Sequence, residues 1–294
     1  MTRSSAKLLF LTTILVACTR SQATPPAAVD AGDAVDAVAA VDASAVLDAG
    51  GGDATDAAFA AALPPAPDDV CECIYLLAKN GDLLRFSPTM KGLSRVGHPS
   101  CPLGADGLRS IAVDRAGKAW IPALDGRIAE VNVHDASCTM TPFAAHQSGF
   151  ATVNLTLAGA TLYGADDHGW GGDVAPSLGL ATIDRATWKL TPVHKSTARM
   201  FLAGTANGGL FAASPAGVEE LARGTYKGTD LKIAGLEKAP GAPMAHHMGA
   251  LWFFGQNGVM RFDVGTKTMA KVLPALSVPI DGAGGAACER GDHL

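Results

Sequence analysis

Ser110-Ile-Ala-Val-Asp-Arg-Ala-Gly-Lys-Ala-Trp-Ile-Pro-Ala-Leu-Asp-Gly-Arg-Ile-Ala-Glu-Val-Asn-Val133 holds three short apolar runs, parted at Ala116-Gly117 and at Asp125-Gly126. Runs of this length are too short to hold a helix on their own. The glycines supply the positive φ that a tight hairpin turn needs. The stretch therefore predicts three antiparallel strands in sequence: Ile111-Ala-Val-Asp114, a strand around Ala119-Trp120, and Ile128-Ala-Glu-Val-Asn-Val133.

The same unit recurs on either side. An apolar residue or Ala followed by an aromatic is found at Ile74-Tyr75, Ala119-Trp120, Leu162-Tyr163, Leu210-Phe211 and Leu251-Trp252, at steps of about 41 to 48 residues. Each pair is followed by a turn and a third run, as in Leu83-Leu-Arg-Phe86, Leu178-Gly-Leu-Ala-Thr-Ile183, Val218-Glu-Glu-Leu221 and Val259-Met-Arg-Phe262. A fourth run follows, such as Trp188–Val193 or Met269–Leu273, and a first run precedes, such as Leu155–Leu157, Phe201–Ala203 or Met244–His246. Four short antiparallel strands in forty-odd residues is the arithmetic of a β-propeller blade. Such a sheet is apolar on both faces and hides them only between neighbours, so the aromatic of the second strand reads as the plug between blades.

The chain is thus expected to be all-β, a propeller of about five four-stranded blades over residues 70–294. The same turn spacing would permit a β-sandwich, but the long repeat period favours the ring. The first unit lacks a first strand. The tail beginning Ala275-Leu-Ser-Val-Pro-Ile-Asp281 lacks a second, so it is expected to complete the first blade and close the ring.

Ahead of this domain, Arg3 and Lys7 precede the apolar run Leu8–Ala17. Ten residues at about 1.5 Å each do not cross a bilayer core of about 30 Å, so residues 1–17 read as a signal peptide. Residues 18–69 are Ala, Asp, Val and Pro, with nine Asp against the single Arg20 and Phe59 as the one aromatic. This composition cannot offset its ordering entropy and predicts a disordered, extended acidic linker. The remaining residues carry about twenty basic and nineteen acidic side chains. Such a balance gives no basic stripe for phosphate backbones, so nucleic acid is not an expected partner.

Two resemblances add to this reading. Leu15-Val16-Ala17-Cys18 resembles the lipobox of bacterial lipoproteins, which implies cleavage before Cys18, lipid on its thiol, acylation of the new amino terminus, and residence in the cell envelope on a membrane. More than one acyl chain fits stable anchoring, because a single chain holds only marginally. The stretch Leu108–Val133, with Ser100-Cys-Pro102, Ala136-Ser-Cys138 and Gln147-Ser-Gly-Phe150, is similar to a group of uncharacterised propeller lipoproteins of myxobacteria and relatives. The similarity spans most of Cys71 to Cys288. It implies a propeller and a bridge between Cys101 and Cys138, and it carries no activity. The strand units are also similar, more distantly, to gluconolactonase-type and streptogramin-lyase-type propellers, whose metal and catalytic residues find no counterparts here.

An exported chain lies in a disulfide-permissive compartment. Cys101 leaves the first unit and Cys138 opens the fourth strand of the second, so a bridge between them would staple neighbouring blades. Cys288 lies beside the closing tail, and either Cys73 or Cys71 beside the first strand pair, so one of those two would lock the ring. Cys71-Glu72-Cys73 without a second pair falls short of a zinc site.

Candidate chemistry is sparse. Asp166-Asp-His-Gly-Trp-Gly-Gly-Asp173 offers Asp166, Asp167 and Asp173 as oxygen ligands for a divalent metal such as calcium, although its spacing is not that of an EF-hand. His246-His247 lies on an expected first strand, nearest the channel, where neighbours point to opposite faces. His246 is therefore a channel candidate, with Asp114 its partner by register. Nucleophile and phosphate-binding motifs are absent. The function expected is a non-catalytic envelope lipoprotein whose propeller presents a protein- or glycan-binding face. The alternative is a metal-dependent, lactonase-like hydrolase or lyase using channel residues.

Overall fold

The computed structural model describes residues 70–103, 110–167, 176–234, 236, 242–256, 258–286 and 288. The signal peptide expected over 1–17, Cys18, the linker 18–69 and Asp173 lie outside the described residues. Among the described residues no helix is long and apolar enough to cross a membrane.

Twenty strands, numbered along the chain, form five four-stranded antiparallel sheets. From the axis outward the first blade runs β20 (Ile280–Gly285), β1 (Ile74–Ala78), β2 (Leu83–Ser87), β3 (Gly92–Gly97). The second runs β4 (Ala112–Val113), β5 (Lys118–Pro122), β6 (Ile128–Asn132), β7 (Cys138–Met140). The third runs β8 (Val153–Ala158), β9 (Thr161–Asp166), β10 (Leu180–Ile183), β11 (Leu190–His194). The fourth runs β12 (Phe201–Gly204), β13 (Leu210–Ser214), β14 (Gly217–Leu221), β15 (Gly228–Asp230). The fifth runs β16 (Met244–His247), β17 (Ala250–Gly255), β18 (Gly258–Asp263), β19 (Thr268–Leu273). Each innermost strand touches the innermost strands on both sides: β4 with β8, β8 with β12, β12 with β16, β16 with β20, and β20 with β4. The five sheets therefore close into a five-bladed β-propeller. As expected, the C-terminal tail supplies the inner strand of the first blade: Tyr75 of β1 lies opposite Gly284 of β20.

The five aromatics occupy equivalent places. Tyr75, Trp120, Tyr163, Phe211 and Trp252 lie opposite Gly284, Ala112, Thr156, Ala203 and Ala245 on the inner strand. On the third strand they face Arg85, Glu130, Thr182, Glu220 and Arg261. Each ring packs onto the next blade, and the five seams are five separate apolar clusters. An aromatic paired with a small residue suits a wedge-shaped seam, wide at the second strand and narrow at the axis. Burying one such ring stabilises the fold by about 1.5–3 kcal/mol.

At the axis the backbones nearly touch. A Cβ on Gly284 would lie 1.9 Å from the Ile111 carbonyl oxygen, one on Gly285 2.0 Å from that of His246, and one on Gly204 2.1 Å from that of Leu157. Glycine at these positions is what lets five inner strands converge.

The hairpins form where the sequence places Asp or Asn. The side chains of Asp114, Asp125, Asp135 and Asp184 accept from the N–H two residues on, at 2.8–3.1 Å, the geometry that favours these residues in turns. Asp184 also accepts from Thr187 N–H at 3.1 Å. This turn holds Trp188 at φ 57, so Trp188, expected to start the fourth strand of the third blade, instead ends a turn and β11 starts at Leu190.

Both staples are present. Cys101 pairs with Cys138, joining the first and second blades, and Cys71 pairs with Cys288. The expectation that allowed Cys73 as the partner of Cys288 is corrected: Cys73 lies outside the disulfides and is fully buried. A short 3-10 turn at Val70–Glu72 carries Cys71 to the partly exposed edge where Cys288 arrives, while Cys73 leads into buried β1.

Candidate functional site

The seam that closes the ring, between the fifth and first blades, is not fully filled. Trp252 of β17 packs against Phe86 of β2, ring centroids 5.7 Å apart, and Phe254 meets Phe86 edge-on at 5.4 Å. Beside this aromatic floor lies a groove of about 380 Å³ lined by Glu72, Pro88, Thr89, Lys91, His247, Met248, Trp252, Arg261 and Val272.

Each wall has a local cause. Arg261 lies opposite Trp252 in register; its guanidinium covers the indole, carbon to centroid 6.0 Å, and Nη2 donates to Asp263 at 2.8 Å. His247 ends β16, and the turn that follows places Met248 at φ 47. The β2–β3 turn contributes Pro88, Thr89 and Lys91, held by the Met90 N–H donating to Ser87 Oγ at 3.2 Å. At its tip Met90 is 70% exposed. Glu72 reaches the groove from beside the Cys71–Cys288 staple. The buried Trp252 indole N–H has no acceptor among the described residues. The groove is therefore aromatic and apolar below, with two permanent cations, an imidazole and one carboxylate at its rim.

A second hollow, of about 270 Å³, lies on the fourth blade around Asn207, Glu220, Arg223 and Thr229. There Arg223 Nη2 already donates to the Asn207 carbonyl at 3.3 Å.

The residues singled out in sequence fall elsewhere. His246 stacks on Phe211 of the fourth blade, centroids 5.8 Å apart and planes at 16°. Burial pushes its pKa down to about 4, so it is neutral near pH 7 and packs as an aromatic. Asp114 caps the β4–β5 turn, accepting from the N–H groups of Ala116 and Lys118 at 2.9 Å each, and its other oxygen lies 3.8 Å from Arg185 Nη1. Register aligns Asp114 with His247 rather than His246, because Ala112 and Ala245 each stand opposite their tryptophan. The two channel candidates thus serve different blades.

Asp166 and Asp167 are both buried. Asp166 Oδ2 accepts from Leu178 N–H at 2.7 Å, its own N–H donates to the Gly179 carbonyl at 2.9 Å, and Asp167 N–H donates to the Thr152 carbonyl at 3.0 Å. These bonds anchor the two ends of the insertion. Among the described residues no group of three acidic, His or Cys side chains gathers around one point. Tyr163 meets Tyr226 edge-on at 6.1 Å, and burial with that hydrogen-bonded neighbour pushes its pKa up to about 12.

Sequence reasoning identified Trp252 only as a plug. Lys91, Arg261 and Glu72 carried no local signal, since three blade elements distant in sequence meet only when the ring closes.

No protein-family model matches the chain, and no curated protein matches it. Among solved structures it is similar to a chain in the crystal structure of a nidogen/laminin complex, at 13% identity over 74% of this chain and 81% of that one, TM-score 0.49. It is also similar to the extracellular domain of a protein described as a one-component system from B. thetaiotaomicron, at 14% identity over 68% of this chain and 27% of that one, TM-score 0.38. These are likenesses of fold at low identity and transfer no function.

Proposed function

We propose that this chain is an exported lipoprotein of a bacterial envelope, held to a membrane by lipid on Cys18, whose propeller binds a protein through the groove between the fifth and first blades. The groove carries the reading. It is the place where aromatic floor, exposed methionine and mixed charge coincide, the composition of interface cores and rims. The two disulfides fit an oxidising compartment. The acidic linker expected from the sequence over residues 18–69 would supply reach, since a flexible chain of about fifty residues has a root-mean-square span of roughly 40 Å.

The test has two arms. In cells fed an alkynyl fatty acid, the wild-type chain should be labelled and sediment with membranes, whereas Cys18→Ser should be unlabelled and released. Equal labelling of both would remove the anchor. A photo-crosslinking residue at Thr89, on the rim of the groove, should give a discrete, protease-sensitive adduct. An adduct degraded by glycosidase instead, or none, would remove the protein-binding reading.

A further inference from the structure

The third strand of two blades sets an arginine across from the seam aromatic, and the two arginines are answered differently. On β18, Arg261 faces Trp252 and covers it, carbon to centroid 6.0 Å. Two residues on, on the same side of the strand, Asp263 serves twice. Its Oδ1 accepts from the Thr266 N–H at 2.9 Å and so caps the turn, while its Oδ2 accepts from Arg261 Nη2 at 2.8 Å. On β2, Arg85 faces Tyr75 and covers it at 5.2 Å. Two residues on stands Ser87. Its Oγ accepts from the Met90 N–H at 3.2 Å, three residues ahead as in the fifth blade, so the cap is kept. A serine has no second oxygen, and the carboxylate that would meet the arginine is missing.

Burial makes the difference matter. Arg85 is 1% exposed, and its Nε and Nη1 N–H groups have no acceptor among the described residues. Its register neighbours Tyr75 and Ser94 are buried with it. The facing wall is apolar, since Ala119, Val131 and Val133 of the second blade share a cluster with Tyr75. Acids of these two blades are engaged with other donors: Asp82 with Arg95 and His98, Glu130 with Lys118, Asp125 with Arg127, and Asp114 and Asp135 with the N–H groups of their turns. A guanidinium does not escape by giving up its proton, as a buried lysine does, and a buried charge without a counter-charge is costly.

We infer that a small monovalent inorganic anion, of the size of chloride, binds against Arg85 in the seam between the first and second blades, in the role that Asp263 Oδ2 fills for Arg261. The size follows from the burial of Arg85, Tyr75 and Ser94: a single-atom ion fits where a larger oxyanion would have to part the blades. Arg85 and Phe86 point to opposite faces of the first blade, so this site is separate from the groove beside Phe86 and stands without the protein-binding reading.

The experiment follows the full-length chain in detergent micelles while sodium chloride replaces sodium gluconate at constant ionic strength and pH. The thermal unfolding midpoint should climb along a saturating curve, by about 5–10 °C once chloride reaches about a hundred times its Kd. The chloride NMR line should be broadened by the protein and sharpened again by added bromide. Ser87→Asp, which keeps the turn cap and supplies the carboxylate, should raise the midpoint in gluconate and abolish both the chloride response and the broadening. Arg85→Met should abolish both as well, and Ser87→Asp reports if that variant does not fold. A midpoint and a line width indifferent to chloride in the wild-type chain would overturn the inference, leaving the N–H groups to water. A response that persists in either variant would place the ion elsewhere and defeat it too. One that appears only after Asp106→Asn would do the same, by giving the counter-charge to the chain itself.

Discussion

The first and fourth blades are built from the same four-strand pattern and are held together differently. The fourth is one continuous stretch of chain, Phe201 to Asp230, closed by three local hairpins. Only two of the five residues of β14 are buried and none of β15. The first blade joins the two ends of the domain, and every residue of β1 and β2 is buried. It also carries the Cys71–Cys288 staple. A salt bridge from its outermost strand, β3, is bidentate: Arg95 Nε and Nη2 donate to the two oxygens of buried Asp82 at 3.0 Å each. At the axis the two blades converge, since Gly284 and Gly204 each leave a neighbouring carbonyl no room for a Cβ. The difference lies where the ring could open. A blade whose strands are neighbours in sequence re-forms locally, whereas one made from distant ends must overcome the entropy of closing a long loop.

The largest break in that comparison should come from Cys71→Ser with Cys288→Ser. The 217-residue separation of the pair gives a loop-entropy contribution of up to about 5 kcal/mol, against about 4 kcal/mol for the 37-residue separation of Cys101–Cys138. Denaturant unfolding of the two double mutants measures both, and hydrogen exchange in the first should rise earliest in β20 and β1. If exchange instead rises first in β14 and β15, the closing blade is not the weak joint.

Gly284→Ala should cost about 3 kcal/mol, and Gly204→Ala a similar amount, because a backbone carbonyl blocks the added methyl in both. Thermal unfolding tests this. A cost confined to one of them would show that the axis is not equally tight in both blades.

His246, where the fifth blade meets the fourth, gives a pH handle. Its pKa is about 4 in the ring, against about 6.5 in an unfolded chain. Between those values the unfolded chain takes up a proton that the folded one does not. Stability is therefore full above pH 6.5 and falls as the pH drops towards 4, by about 2 kcal/mol once partial exposure is allowed for. His246→Phe keeps the stacking on Phe211 and should flatten that slope in a series of unfolding curves. An unchanged slope would assign it to other groups.

The smallest effect is expected at the fourth blade's rim. Thr229→Ala, on exposed β15, should stay within about 0.5 kcal/mol of wild type, and a larger loss would show that the outer strand matters more than its exposure suggests.

Much of this was legible in the chain itself, and the reasons are local. Asp or Asn followed by Gly marks a hairpin at Asn80-Gly81, Asp125-Gly126 and Asn207-Gly208, though Asp281-Gly282 lies within β20, and the apolar-aromatic pair recurs because every seam needs the same wedge. Tyr75, Trp120, Tyr163, Phe211 and Trp252 could therefore be aligned without coordinates, and the tail beyond Ala275 could be given to the first blade. Trp188 misled because an aromatic of high strand propensity sat in a turn fixed by the Asp184 carboxylate. Of the site, His247 was noticed only as the neighbour of His246, and Lys91, Arg261 and Glu72 were silent.

Sequence alone indicated the period, the strand pairs and a count of about five blades, since hairpins form between residues close along the chain, and the closed ring fixed the count at five. Three things were left to the folded ring: which of Cys71 and Cys73 meets Cys288, which histidine aligns with Asp114, and which seam stays open. Each depends on how elements up to some two hundred residues apart are brought together, and only the closing of the ring fixes those distances.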